Sequence, residues 1–142
     1  MRQIVSAVIM MCALFVVGCS DFGVNIPDEA TPFTPPEIYR QWWLDIEGCA
    51  QRYGDFNAIR WFKVPDSYLF SSAGYKSESI AAQTYFKSNV IIVRESYLLV
   101  APIIRHEMLH ILVPVKGHPR QYFRSECAKV LINNWPDDGT DN

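Results

Sequence analysis

Residues 106 to 110 read His-Glu-Met-Leu-His, and this spacing suits a metal-dependent reaction. On a helix of 3.6 residues per turn, side chains at i and i+4 point the same way, so His106 and His110 can share one metal ion. Zn²⁺ accepts imidazole nitrogens at about 2.0–2.1 Å. Glu107 is wrongly placed to be a third ligand, but it can take a proton from a water at the metal's open position. The motif predicts a zinc-dependent hydrolase with Glu107 as its catalytic base.

The flanks of this motif predict a buried helix. Its neighbours include several large apolar residues, namely Ile103, Ile104, Leu109, Ile111 and Leu112. Burying two imidazoles and a carboxylate without partners is costly, and a metal ion would remove that cost. The alternative is a solvent-exposed helix that carries the two histidines by chance. Pro102 suits a first helical turn and Pro114 prevents continuation, so we expect a helix over about 101–112.

A catalytic zinc site usually has three protein ligands and one open position. His118 follows the turn after the predicted helix and is the one remaining histidine of the chain. Glu126 is the competing candidate, on a C-terminal helix expected over about 119–133. We favour His118, because all three histidines then fall within 13 residues, and we keep Glu126 as the alternative third ligand.

The segment from His106 to His118 resembles the zincin group of metallopeptidases. Metzincins carry HExxHxxGxxH, whereas here the third histidine comes eight residues after His110 and no Met-turn can be assigned. Gluzincins take their third ligand from a later helix, the role that Glu126 would have. The stretch 105–127 is also similar to small bacterial lipoproteins of zincin type. The resemblance implies Zn²⁺ as cofactor, a peptide or protein substrate, and amide hydrolysis in which Glu107 activates the attacking water.

Two questions about this mechanism stay open in the sequence. The oxyanion that develops on the substrate needs a partner besides zinc, and Tyr122, Arg105 and Arg120 are candidates, each with a surface or structural role as its alternative. The second question is whether the site catalyses a reaction at all. The alternative function is a lipid-anchored binding or assembly protein of the envelope, with a structural or catalytically inactive zinc site.

The N-terminus predicts export. A positive start precedes a largely apolar run over 4–17, which is too short to favour a spanning helix and is typical of a secretory signal peptide covering 1–18. The residues Val16-Val17-Gly18-Cys19 resemble a bacterial lipobox, which implies a lipid on Cys19 and anchoring in the bacterial membrane, with the outer membrane favoured. An ordinary signal peptide with an incidental cysteine is the alternative. Residues 19–36, rich in proline, are expected to act as a tether.

The remaining cysteines form an even pair. Cys12 leaves with the signal peptide and Cys19 takes the lipid, so Cys49 and Cys127 are left in an oxidising compartment. We predict a disulfide between them, with two buried thiols as the alternative.

The rest of the chain fits one α+β domain. A helix is expected from about residue 37, strands over 58–64 and 89–94, and either a strand or a short helix over 80–86. We predict a zincin-like domain over 37–135, with a small mixed sheet, helices on one side and an acidic tail at 136–142. The net charge of −2 and the absence of a basic stripe argue against nucleic acid as a partner.

Overall fold

A computed structural model of the chain describes residues 24–72, 75–77 and 79–131. The predicted signal peptide, the lipidation of Cys19 and the acidic tail lie outside these residues and stay predictions. The α-helices are α1 (Ile38–Ala50), α2 (Ala101–Leu112) and α3 (Ala128–Leu131), with a π-helix over Gln121–Glu126. The strands are β1 (Thr31–Pro32), β2 (Arg60–Val64), β3 (Phe70–Ser72), β4 (Tyr75–Ser77), β5 (Ala82–Tyr85) and β6 (Val90–Arg94). No helix in this described part is long and apolar enough to cross a membrane.

Four of the strands form a mixed sheet in the order β1-β2-β6-β5. The central strands β2 and β6 are parallel, and the edge strands β1 and β5 pair antiparallel with them. Every residue of β6 is buried, as expected for a β-branched run in the middle of a sheet. The segment 80–86, which the sequence left open, contains the edge strand β5. The segment expected to be a tether contributes β1 to the opposite edge.

The two faces of this sheet have different coverings. Trp61, Ile91 and Val93 belong to the larger core cluster, together with the apolar faces of α1 and α2. Alternate residues of the same strands, including Val64 and Ile92, pack in a smaller cluster with Phe70 of β3. β3 and β4 form a separate two-stranded sheet. The mixed α+β class with its helices on one side is therefore confirmed.

Helix α1 supplies one wall of the larger core. Its buried residues recur at helical spacing and comprise Tyr39, Trp42, Trp43, Ile46 and Ala50. The hydroxyl group of Tyr39 donates a hydrogen bond to the carbonyl of Leu98, just before α2, and so joins the two helices. The helix ends at Ala50, and the residue after it, Gln51, has a left-handed φ of 50°.

The C-terminal part of the described chain differs from the single helix expected over 119–133. A π-helix over Gln121–Glu126 is followed by a break at Cys127 and then by α3. The backbone N–H of Cys127 donates to the carbonyl of Tyr122, five residues earlier, at 3.0 Å. Phe123 and Cys127 are both buried in the core, and the widened turn of the π-helix lies between them.

Candidate metal centre

Helix α2 carries the first two histidines in the arrangement that their spacing predicts. The helix spans Ala101–Leu112 with Pro102 in its first turn. His106 is 8 % exposed and His110 is half-buried. The Nε2 atoms of these two imidazoles lie 3.2 Å apart. One turn of the helix therefore presents two ligand atoms to the same point.

The third histidine reaches that point through a tight reversal of the chain. Val113 ends α2, and Gly117 has a φ of 82°, a left-handed conformation that suits glycine. The reversal places the Nε2 of His118 at 3.1 Å from the Nε2 of His106. All three ligand atoms of His106, His110 and His118 lie within 4.8 Å of one another. The structure thus brings together the three residues that the sequence analysis favoured.

These distances fit a divalent cation bound by three imidazoles. With Zn–N distances of about 2.0–2.1 Å, tetrahedral geometry separates two nitrogen ligands by about 3.3–3.4 Å. The two short separations, 3.1 and 3.2 Å, are close to that value. The Nε2 of His106 has two such neighbours, although an imidazole nitrogen donates or accepts only one hydrogen bond. A cation among the three nitrogens would accept a lone pair from each, so this cluster can hold a metal ion.

Phe123 covers one side of the cluster. The centroid of its ring lies 5.0 Å from that of His106, 4.7 Å from that of His110 and 5.0 Å from that of His118. The three imidazole centroids are themselves 4.9–5.1 Å apart. The four rings therefore mark the corners of a nearly regular tetrahedron, with Phe123 on one side of the plane of the imidazole centroids. That side of the cluster is therefore covered by an aromatic ring.

Glu107 lies on α2 between the two histidines and is 8 % exposed. The hydroxyl group of Thr84 donates to its carboxylate Oε2 at 2.6 Å and also lies 3.1 Å from its backbone carbonyl oxygen. Burial raises the pKa of Glu107 to about 7, and the hydrogen bond from Thr84 acts in the opposite direction. A carboxyl group with such a pKa can take up and release a proton near neutral pH.

The alternative third ligand lies apart from this cluster. Glu126 is exposed, and its carboxylate accepts a hydrogen bond from the side-chain amide of Gln121 at 3.0 Å. Among the described residues, the group with ligand atoms close enough to share a metal ion consists of the three histidines alone.

The three oxyanion candidates have different surroundings. Arg105 donates to the carboxylate of Asp45 at 2.9 Å and to the carbonyl of Val130 at 3.2 Å, so it joins three helices. The hydroxyl of Tyr122 accepts from the guanidinium of Arg52 at 2.9 Å. Arg120 is exposed. These contacts give Arg105 a structural role in joining the helices. The oxyanion roles of Tyr122 and Arg120 stay predictions.

The predicted disulfide joins Cys49 on α1 to Cys127, directly after the π-helix. Cys127 is fully buried, and its position four residues after Phe123 ties the segment that covers the imidazoles to α1. The prediction from the cysteine count is therefore confirmed.

Two residues of the site were missed from the sequence. Thr84 lies opposite Ile91 in the antiparallel β5–β6 pair, on the side of the sheet that faces the helices. The pattern Ala82-x-Thr84 was a usable indication, because it places a hydroxyl where the alternation calls for an apolar side chain. Phe123 had no such indication, because its position depends on the π-helix.

Comparisons of the chain with protein-family models, with curated proteins and with solved structures give no match.

Proposed function

We propose that this protein is a zinc-dependent hydrolase of peptide or amide bonds in the bacterial cell envelope. The observation that carries the proposal is the convergence of three imidazole nitrogens, two of them on the helix that also carries the buried Glu107. Three neutral imidazoles suit zinc among the available divalent metals, and leave a coordination position open. When bound, zinc supplies a Lewis acid that polarises a substrate carbonyl and makes a water more acidic.

The side chains of this protein have separate roles in the proposed reaction. His106, His110 and His118 hold the metal ion. Glu107 takes a proton from the attacking water and delivers it to the departing amine. Phe123 excludes water from one side of the cluster, so that substrate and water share the other side.

The cellular location is part of the proposal and rests on the first 19 residues. A signal peptide over 1–18 and a lipid on Cys19 would place the domain at the bacterial membrane, the outer membrane in a two-membrane cell. The disulfide of the folded domain agrees with an oxidising compartment. Proteins and peptides of the envelope are then the substrates within reach.

The test begins with metal content. The full chain and three variants, Glu107→Gln, His118→Ala and Glu126→Ala, are purified from cells grown with zinc, cobalt, nickel, copper and iron. We expect one zinc per chain in the wild type, in Glu107→Gln and in Glu126→Ala. His118→Ala should lose most of its zinc, because two imidazoles remain. A wild type without zinc, or a Glu126→Ala variant that loses it, would refute the ligand assignment.

Turnover is measured on a library of fluorescence-quenched peptides. The wild type and Glu126→Ala should cleave the same peptides, and Glu107→Gln should be inactive although it retains zinc. Equal behaviour of the wild type and Glu107→Gln across the library would instead indicate a binding or assembly protein whose zinc is structural.

A further inference from the structure

We propose that Thr84 is a positioning residue for Glu107: its hydroxyl group fixes one carboxylate oxygen so that the other faces the attacking water. This inference rests on the proposed function and concerns a residue that the zinc motif does not contain. It starts from the position of Thr84 on β5, a strand that packs directly against α2.

Thr84 contacts Glu107 directly through a short hydrogen bond. At 2.6 Å, the distance from the Thr84 hydroxyl to Oε2 of Glu107 is typical of a hydrogen bond from a hydroxyl to an ionised carboxylate. Among the residues that the structure describes, Thr84 is the only hydrogen-bond partner of that carboxylate. Glu107 is buried, so little solvent is available to replace this donor. The orientation of the carboxylate therefore depends on a single side chain of a neighbouring strand.

A second atom of Glu107 lies within reach of the Thr84 hydroxyl group. The backbone carbonyl oxygen of Glu107 lies 3.1 Å from the same hydroxyl oxygen. A hydroxyl has one proton to donate and two lone pairs that accept. Its proton goes to Oε2, the nearer acceptor at 2.6 Å, and the carbonyl oxygen is a second acceptor within reach. Two atoms of Glu107 therefore lie around the one hydroxyl group of Thr84.

The sheet holds Thr84 in place. Thr84 pairs with Ile91 of β6, and Ala82 pairs with Val93, so β5 has a fixed register against the most buried strand. A threonine side chain is stiff about χ1, because its Cβ is branched. Serine retains the hydroxyl, and valine retains nearly the same shape without it, so the chain offers a matched pair of variants.

The kinetic test uses the zinc-loaded full chain and a quenched peptide that the wild type cleaves. Thr84→Val should retain one zinc per chain, with an affinity within about threefold of the wild type by chelator competition. Its kcat should fall about 10- to 100-fold with KM within about twofold, because the base is misplaced while substrate binding is intact. Thr84→Ser should recover kcat to within about threefold of the wild type. A Thr84→Val variant with wild-type kcat, or a Thr84→Ser variant as slow as Thr84→Val, would overturn the inference.

A second measurement does not depend on turnover. The zinc-loaded proteins are labelled with ¹³C at the glutamate carboxyl carbon, and the Glu107 resonance is assigned by its absence from Glu107→Gln. The chemical shift of this resonance should be the same in the wild type and in Thr84→Ser, and it should differ in Thr84→Val. The same chemical shift in all three proteins would overturn the role of Thr84. If the wild type cleaves no peptide, the proposed hydrolase fails, and this comparison alone decides whether Thr84 orients Glu107.

Discussion

Removal of the disulfide between Cys49 and Cys127 should cost this small domain much of its stability. The variant is Cys49→Ala with Cys127→Ala, so that neither partner of the bond is left as an unpaired thiol. The bond closes a loop with a sequence separation of 78 residues. In the chain-entropy treatment, a loop of this length contributes about 4.5 kcal/mol to the free energy of unfolding at 25 °C. Small domains are typically stable by only about 5–15 kcal/mol, so the loss is large.

The assay is urea unfolding of the metal-free wild type and of the double variant. With a slope of about 1.5 kcal/mol per M, the loss corresponds to a midpoint lower by about 3 M. The reduced wild type is the control, because it keeps both sulfur atoms in the core and lacks only the cross-link. It should lose nearly as much stability as the double variant. A loss below about 1 kcal/mol in both proteins would refute the loop-closure reasoning.

The same variant also tests the connection between the disulfide and the metal centre. Phe123 contacts all three imidazoles and lies four residues before Cys127. Without the cross-link, the π-helix is less well held, and we expect the zinc affinity to fall about 10- to 100-fold, as for other losses of groups that orient metal ligands. The measurement is chelator competition under conditions in which both proteins are folded. An unchanged affinity would show that helix packing alone holds the three histidines in place.

Two further predictions concern the scaffold. Gly54→Ala should lower the free energy of unfolding, measured by urea denaturation, by about 1–3 kcal/mol. The reason is that the new Cβ would lie 2.9 Å from Leu112 Cδ2 and 3.0 Å from Trp43 Cζ2. An unchanged midpoint would mean that these side chains move aside freely. Asp66 accepts a hydrogen bond from the backbone N–H of Ser96 at 3.0 Å, which lowers the pKa of its carboxyl group. The contribution of this hydrogen bond to the free energy of unfolding is therefore complete above about pH 4 and is lost as the pH falls further. The stability difference between the wild type and Asp66→Asn should shrink on acidification. A difference that grows instead would contradict the assigned cause.

Local patterns in the sequence were sufficient for the parts of this fold that depend on local physics. The apolar spacing and the flanking prolines predicted the bounds of α2, and the β-branched run predicted β6. A pair of histidines four residues apart needs only helical geometry to face one ion. The count of cysteines predicted the disulfide without any knowledge of the path between them.

Other features depended on contacts between segments that are far apart in the chain. The segment 80–86 carried no decisive periodicity, and its pairing with β6 is what makes β5 a strand. The π-helix over Gln121–Glu126 stands where a regular helix was expected, and no residue in that segment encodes the extra width of its turn.

The metal centre combines both kinds of information. The sequence specified which side chains could bind zinc and which carboxylate could act as base, because those properties belong to residue types and to one turn of helix. It favoured His118 over Glu126 as the third ligand but could not show where either side chain lies, and it could not identify Thr84 and Phe123 as neighbours of the motif. Those relations depend on the reversal at Gly117, on the register of β5 and on the cross-link to α1. Distances across such long loops are set by packing of the whole core, which no short stretch of sequence contains.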